Sequence, residues 1–311
     1  MWRVLKFSRK KFLVTGGAGF IGSAVANRLY YKNSEVVILD DFSIGRNENI
    51  TFQCDVIKGN IADHDWMHKV RDIDYLLHFA APSSVVLFKK SLNKCLTDTI
   101  VGITNVFQYA KQFGVKEVVF PSSSSVYGNT PLPQSEATPT VPTNLYGVAK
   151  LTCEHIARLY SDIVPSVGLR IFAGYGPGET HKGDIASVIT LFMDAIARNS
   201  RPIIFGDGTQ TRDFVYIDDI VEAILKSIEN SFTGIVNMGS GNSHTFNEVV
   251  SLINRLLGKD IRPRYVEKPN QYFEHTLADI TKMKDLFGFS PTSLEEGLKK
   301  YLEVKGEILK K

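Results

Sequence analysis

The sequence predicts an α/β protein: a doubly wound parallel sheet with a smaller C-terminal lobe beside it. Three observations carry that expectation. Short β-branched runs alternate with helical stretches through the first half of the chain. A glycine-rich turn, Thr15-Gly16-Gly17-Ala18-Gly19-Phe20-Ile21-Gly22, joins the first of those runs to the first helix. After about Phe172 the rhythm changes, and Gly174, Gly176, Pro177, Gly178, Gly206 and Gly208 punctuate shorter elements.

Taken in order, Lys11–Thr15, Glu35–Leu39, Asp74–Phe79, Lys116–Pro121 and Val167–Phe172 are predicted as buried strands. Helices are predicted to begin near Phe20, Asp98 and Asn144. Such a succession implies parallel strands joined by right-handed crossovers, with ligands at the carboxyl ends where the topology reverses. Residues Tyr216–Glu229 and Ile235–Asn237 read as a helix and a strand that return to the first lobe. The expected division is residues 1–172, joined by 213–240, and a lobe of residues 173–311. The first eleven residues alternate apolar and basic types, without the unbroken apolar run of a secretion signal. They are expected to be a solvated lead-in or a first edge of structure.

A chain of 311 residues suits one large domain or two coupled ones, and 43% hydrophobic and 22% charged residues are ordinary for a globular protein. The net charge of +3, with no basic run interleaved with aromatics, argues against a nucleic-acid partner. No apolar stretch approaches the ~20 residues of a membrane helix, so no membrane partner is expected. Cys54, Cys95 and Cys153 are odd in number, far apart and in no metal-ligand spacing. They point away from a disulfide framework or a metal site and towards a reducing, cytoplasmic location.

In the glycine turn, Gly16, Gly19 and Gly22 meet three physical needs, which are a tight turn, close backbone approach to a pyrophosphate, and close helix–strand packing. The exposed N–H groups and positive end of the following helix attract phosphates. Asp40 and Asp41 end the next strand, near the roughly 20-residue offset where a carboxylate meets the adenosine ribose of a dinucleotide. A carboxylate there repels a 2′-phosphate, which favours NAD over NADP, although Arg46 stands nearby.

Tyr146 and Lys150 stand four residues apart on one face of a predicted helix. The strand Val118-Val119-Phe120 runs through Pro121 into Ser122-Ser123-Ser124-Ser125, which puts hydroxyls at a carboxyl end beside the cofactor. Only about a thousandth of a free tyrosine is ionised at pH 7, and an adjacent ammonium favours the phenolate that a base requires. A serine hydroxyl can then hold a substrate oxygen as it passes between alcohol and carbonyl.

Together these residues resemble the extended short-chain dehydrogenase/reductase family, and within it the nucleotide-sugar epimerases and dehydratases. The likeness covers nearly the whole chain. It includes His78-Phe79-Ala80-Ala81, Val126-Tyr127-Gly128, Tyr175-Gly176-Pro177 and the stretch from Gly206 to Val215. It implies a Rossmann-type lobe that carries NAD, a C-terminal lobe that grips a nucleotide-diphosphate sugar such as a UDP-sugar, and a homodimer. Carried over by position, Ser123, Tyr146 and Lys150 match the catalytic set, and Phe20 and Ile21 belong to the phosphate turn. Phe79, Ala80 and Ala81 match the loop along the cofactor. Asn60 and Ile61 match the adenine-contacting pair, with asparagine where aspartate is usual. Thr99 stands in the cofactor set where asparagine is usual. Ser83, Ser124, Ser125 and Arg212 are expected to face the substrate, Arg212 as the diphosphate clamp. Lys268 stands where a second phosphate arginine is usual, and Ala173 replaces a customary asparagine.

The same resemblance bears on the reaction. Dehydratases and decarboxylases of this kind place carboxylates after the strand-end hydroxyl; here Ser124 and Ser125 stand there, which disfavours both chemistries. Oxidation, reorientation and reduction remain, as in a UDP-hexose 4-epimerase. The stretches Gly178-Glu179-Thr180-His181-Lys182-Gly183 and Ala186-Ser187-Val188 are instead similar to ADP-glycero-manno-heptose 6-epimerase, where the lysine is a second base. Tyr272 through Asp279 also looks like that enzyme. A reductase and a non-catalytic NAD-binding regulator are further alternatives. Thr276 matches a gate position at which a small residue leaves room for a 2-acetamido sugar.

Overall fold

The structure is a computed structural model that describes residues 7–269 and 273–306. The first half of the chain forms β1 (Lys11–Thr15), α1 (Phe20–Tyr30), β2 (Glu35–Asp40), β3 (Asp55–Lys58) and β4 (Tyr75–His78). It continues through α2 (Val85–Lys90), α3 (Leu92–Leu96), α4 (Gly102–Phe113), β5 (Glu117–Ser123), α5 (Leu145–Leu159) and β6 (Ser166–Ile171). A π-helical turn, Thr97–Val101, links α3 to α4. Then follow β7 (Ala173–Tyr175), α6 (Val188–Ala197), β8 (Ile203–Phe205), β9 (Thr211–Tyr216), α7 (Ile217–Asn230) and β10 (Gly234–Met238). The last elements are β11 (Ser243–Thr245), α8 (Phe246–Leu257), β12 (Arg264–Val266), α9 (Thr281–Phe287) and α10 (Leu294–Lys305).

Seven parallel strands make the central sheet, in the order β10-β6-β5-β4-β1-β2-β3. This is a Rossmann-type sheet. Its strand order reverses between β1 and β4, the place where open parallel sheets gather ligands at the strands' carboxyl ends. Helices cover both faces, so the inner strands β1, β2, β4 and β5 are apolar on both sides. In β1, Phe12 and Val14 join one core while Leu13 joins the other; in β2, Val36 and Ile38 divide from Val37 and Leu39 in the same way. The first core continues into the C-terminal elements through Phe192, Phe246 and Tyr301. There β7, β9 and β11 form a three-stranded sheet and β8 pairs with β12. Among the described residues, the chain re-enters the central sheet at β10, which lies parallel to β6.

The five strands expected from the sequence form within a residue or two of their expected bounds. The lead-in is partly corrected: residues 1–6 lie outside the described chain, but Phe7 is buried against Phe12, with ring centroids 6.2 Å apart. It is therefore core rather than solvated. Two features had no counterpart in the sequence pattern. Strand β3 sits at the sheet edge with mostly exposed side chains, so it lacks an apolar signature. The stretch Val85–Leu96 is helical but broken at Ser91 (φ −149°, ψ 68°), too short on either side to show a helical period.

Candidate active site

The site grows from the end of β1. Gly16 adopts φ +67°, and a Cβ there would stand 2.6 Å from the Ala80 nitrogen. A Cβ on Gly22 would come within 2.1 Å of the Gly16 carbonyl oxygen. The turn is thus closed to any larger residue at both positions. Gly19 caps α1 with no side-chain hydrogen bond, and the first turn of the helix carries no acidic residue. Its N–H groups and positive end are left for an anion.

The second loop, after β4, is tied to the first through Thr15. The Phe79 nitrogen donates to the Thr15 carbonyl (2.8 Å), and the Ala80 nitrogen donates to Thr15 Oγ1 (3.3 Å). Thr15 Oγ1 in turn meets His78 Nδ1 at 2.8 Å. Burial first, and the Lys150 charge second, push the His78 pKa from 6.5 down to about 3, so the ring is neutral. Thr15 Oγ1 thus touches both His78 and the Ala80 nitrogen, which ties the two loops together.

Asp40 is buried at the end of β2, where its carboxylate accepts from the Ala18 (2.9 Å) and Phe42 (2.8 Å) nitrogens. Desolvation raises its pKa, against the lowering pull of those two N–H groups. Asn60 is more committed than the sequence suggested. Its Oδ1 already accepts from the Ala62 nitrogen at 2.7 Å, and its Nδ2 donates to Asp98 at 3.0 Å. Any base it meets must share that oxygen's second lone pair.

Ser123, Tyr146 and Lys150 converge from β5 and α5. Asn144 caps α5, its Oδ1 accepting from the Gly147 nitrogen at 2.9 Å, which sets Tyr146 in the first turn. Lys150 is buried one turn on, its Nζ donating to the Pro121 carbonyl at 3.1 Å and lying 5.9 Å from the Tyr146 ring centroid. Phe88 meets the tyrosine ring edge-on at 5.6 Å. Ser123 Oγ accepts from the Ser125 nitrogen at 3.1 Å, which leaves its proton for another acceptor. The neighbouring Ser122 is committed elsewhere, donating to Glu154 at 2.5 Å. Glu154 is held by a two-pronged pair with buried Arg170, which also donates to Tyr127. The roots of β5, β6 and α5 are therefore locked together behind the hydroxyl run.

A cavity of about 720 Å³ joins these parts. The glycine turn, Phe20, Ile21, Asp40, Asp41, Asn60, Ile61 and Phe79 through Ala81 line one end. Ser83, Ser123, Ser124, Ser125, Tyr146 and Lys150 line the cavity too, as do Lys182, Arg212 and Thr276 from the C-terminal elements. Arg212 rests on the carbonyls of Thr211, Phe273 and Glu274. Thr276 Oγ1 accepts from the Asp213 nitrogen at 3.2 Å. The uncapped helix end, the bare glycine turn and the cavity's extent suit a dinucleotide at the first end.

Two expected residues stand apart. Thr99, in the π-helical turn, is 1% exposed and does not line the cavity; its carbonyl accepts from Cys153 Sγ of α5 at 3.9 Å. Its neighbour Asp98 faces the cavity instead. Lys268 follows the outer strand β12, stacks its stem over Gly206 and pairs with Glu274 at 2.6 Å, outside the cavity. Conversely, Leu87, Lys90, Lys94 and Cys95 line a wall that the sequence did not indicate, because the broken helix carrying them had no periodic signal. Glu179 and His181 also line it.

Comparison with known proteins agrees with this architecture. Residues 12–239 match the model of the NAD dependent epimerase/dehydratase family. A putative UDP-glucose 4-epimerase of Methanocaldococcus jannaschii is 34% identical over 93% of this chain and 96% of its own. A UDP-N-acetyl-alpha-D-glucosaminuronate decarboxylase of Bacillus cytotoxicus is 32% identical over 96% and 99%. Among solved structures, the UDP-N-acetylglucosamine 4-epimerase of Methanobrevibacter ruminantium, in complex with UDP-N-acetylmuramic acid, superposes with TM-score 0.90 at 32% identity, covering 95% of this chain and 98% of that one. The ADP-L-glycero-D-manno-heptose-6-epimerase of Helicobacter pylori gives TM-score 0.88 at 32% identity, covering 97% and 98%. With a match across most of its length and a fold to suit it, the chain belongs to the NAD dependent epimerase/dehydratase family.

Proposed function

We propose that the protein is an NAD-dependent epimerase of a UDP-hexose, acting at the sugar's C4 through a transient ketone. One observation carries the reading: Ser123, Tyr146 and Lys150 line the same cavity as the glycine turn and Arg212. NAD, when bound, supplies a reversible hydride acceptor. The chain's own residues do the rest. Tyr146 takes the proton of the sugar hydroxyl and later returns it, with Lys150 one helical turn away on the same face. Ser123 donates its free proton to the oxygen as that atom becomes carbonyl. Arg212 tethers the diphosphate with its fork of donors while the sugar turns about that tether. In this reading residues 1–172 with 213–240 hold the cofactor, and residues 173–311 hold the nucleotide sugar. Three unpaired thiols at Cys54, Cys95 and Cys153 suit the reducing cytoplasm.

Ser124 and Ser125, at the positions used by eliminating carboxylates, support epimerisation over dehydration or decarboxylation. A second reading, an ADP-heptose 6-epimerase, draws on the likeness of residues 178–188 and on the Helicobacter pylori structure. One experiment separates them: incubate the protein with UDP-, GDP- and ADP-sugars, identify epimers, and identify the dinucleotide released on denaturation. UDP-hexose epimers with NAD support the first reading. Epimers of an ADP-heptose alone, with NADP, would replace it by the second.

A further inference from the structure

The segment from Gly178 to Ala186 leaves the C-terminal elements and crosses over the glycine turn. A Cβ on Gly178 would lie 4.0 Å from the Phe20 ring. Asn49 donates to the Ala18 carbonyl at 2.7 Å and meets His181 Nδ1 at 3.4 Å, so the segment is seated on the turn itself. Lys182 sits at its centre. The ammonium is 4.4 Å from the centroid of the Phe20 ring and 3.2 Å from Glu179 Oε2. Glu179 is wholly buried, fixed by the Thr190 hydroxyl (2.6 Å) and the Ser187 nitrogen (3.0 Å). That carboxylate cannot swing away, and it aims the lysine.

Phe20 is the first residue of α1, whose N-terminus no side chain caps, so the ammonium packs on the first residue of a helix end that is open to an anion. An anion seated there could meet the helix N–H groups and the ammonium together. Glu179 uses one of the three ammonium protons, which leaves two to donate. Beside it, His181 lines the cavity and presents a buried Nε2 with no partner among the described residues.

We infer that Lys182 is a clamp on the dinucleotide's diphosphate, closing it from the side opposite the glycine turn, and not a second catalytic base. The inference rests on the reading above that a dinucleotide occupies this turn. An ammonium whose donors are shared between Glu179 and a diphosphate is committed to holding the cofactor rather than to the sugar. The segment then acts as a strap whose hold on the cofactor is made of charge.

The test compares NAD and adenosine, which lacks phosphate, as probes by calorimetry on the full-length protein. Lys182→Met is expected to weaken NAD by about ten- to a hundred-fold, the loss of a charge-assisted hydrogen bond. It should bind adenosine as the wild type does, and its lost turnover should return as NAD is raised. The double variant Lys182→Met with Glu179→Gln, which leaves no unpaired buried carboxylate, should behave alike. Unchanged NAD affinity with turnover lost even at saturating NAD would overturn the clamp and restore the second base. Equal weakening of NAD and adenosine in both variants would reduce Lys182 to a structural role and also overturn it. A folded wild type that fails to bind NAD at all would instead remove the reading on which the clamp rests.

Discussion

At the scale of single residues, the proposed reaction places the chemistry on the phenolic oxygen of Tyr146, whose ring is already held by Phe88 and α5 without that oxygen. Tyr146→Phe should therefore fold and keep its dinucleotide yet lose about a hundredfold or more in turnover, the scale of a general base. Near-wild-type kcat would remove tyrosine from the mechanism. His78 gives a pH-dependent counterpart. Its folded pKa, about 3, lies below the ordinary 6.5, so the unfolded chain binds more protons between those values. The neutral ring thus contributes stability in full above about 6.5, and that stability is lost as pH falls towards about 3. His78→Asn, with an amide that can still meet Thr15, should show a shallower fall of Tm over that window. Parallel Tm profiles for the two proteins would show that His78 does not carry the acid sensitivity. Residues such as Tyr146, Lys150 and Asp40 were legible in the sequence because each sits at a fixed offset from a recognisable strand end. Thr99 was not, since one step around a helix turns a side chain by about 100° and the wider π-helical turn shifts the register that an α-helix would keep.

At the scale of elements, legibility followed burial. The inner strands β1, β2, β4 and β5 send apolar residues to both faces and stand out as continuous runs, while β6 keeps Val167, Leu169 and Ile171 on one face and buried Arg170 on the other. Edge strand β3 and the broken helices α2 and α3 answer mainly to their neighbours, so nothing periodic marks them. Lys268 failed for a similar reason: the short strand β12 carries it to the outside of β8, a pairing that no local pattern specifies. Thr276 fared better. The chain around it is pinned to β9 by its nitrogen on the Thr211 carbonyl and its hydroxyl on the Asp213 nitrogen, and it lines the cavity. A bulky side chain there has little freedom to retreat. Thr276→Tyr should lower kcat/KM for UDP-GlcNAc relative to UDP-Glc by about tenfold or more, a steric cost of a kilocalorie or two. An unchanged ratio would place the control of sugar size elsewhere in the cavity.

At the scale of the whole molecule, the parallel sheet brings distant motifs together. Strands that all run one way deliver Gly16, Asp40, Phe79 and Ser123 to the same edge, and the segments after β6 close over them from the other side. The order of strands could be read because βαβ units leave few alternatives. How the C-terminal elements fold over the crevice could not, because β7, β9 and β11 pair across some seventy residues (Ala173 to Thr245) with only three to six residues each. The central claim is that the sugar carbon is oxidised and then reduced within one closed site. UDP-glucose carrying deuterium at C4 tests it directly, with the product analysed by mass spectrometry and NMR. The expected product is UDP-galactose that keeps the deuterium at C4 in ordinary water. A C4 epimer whose deuterium has been replaced by solvent hydrogen would contradict it.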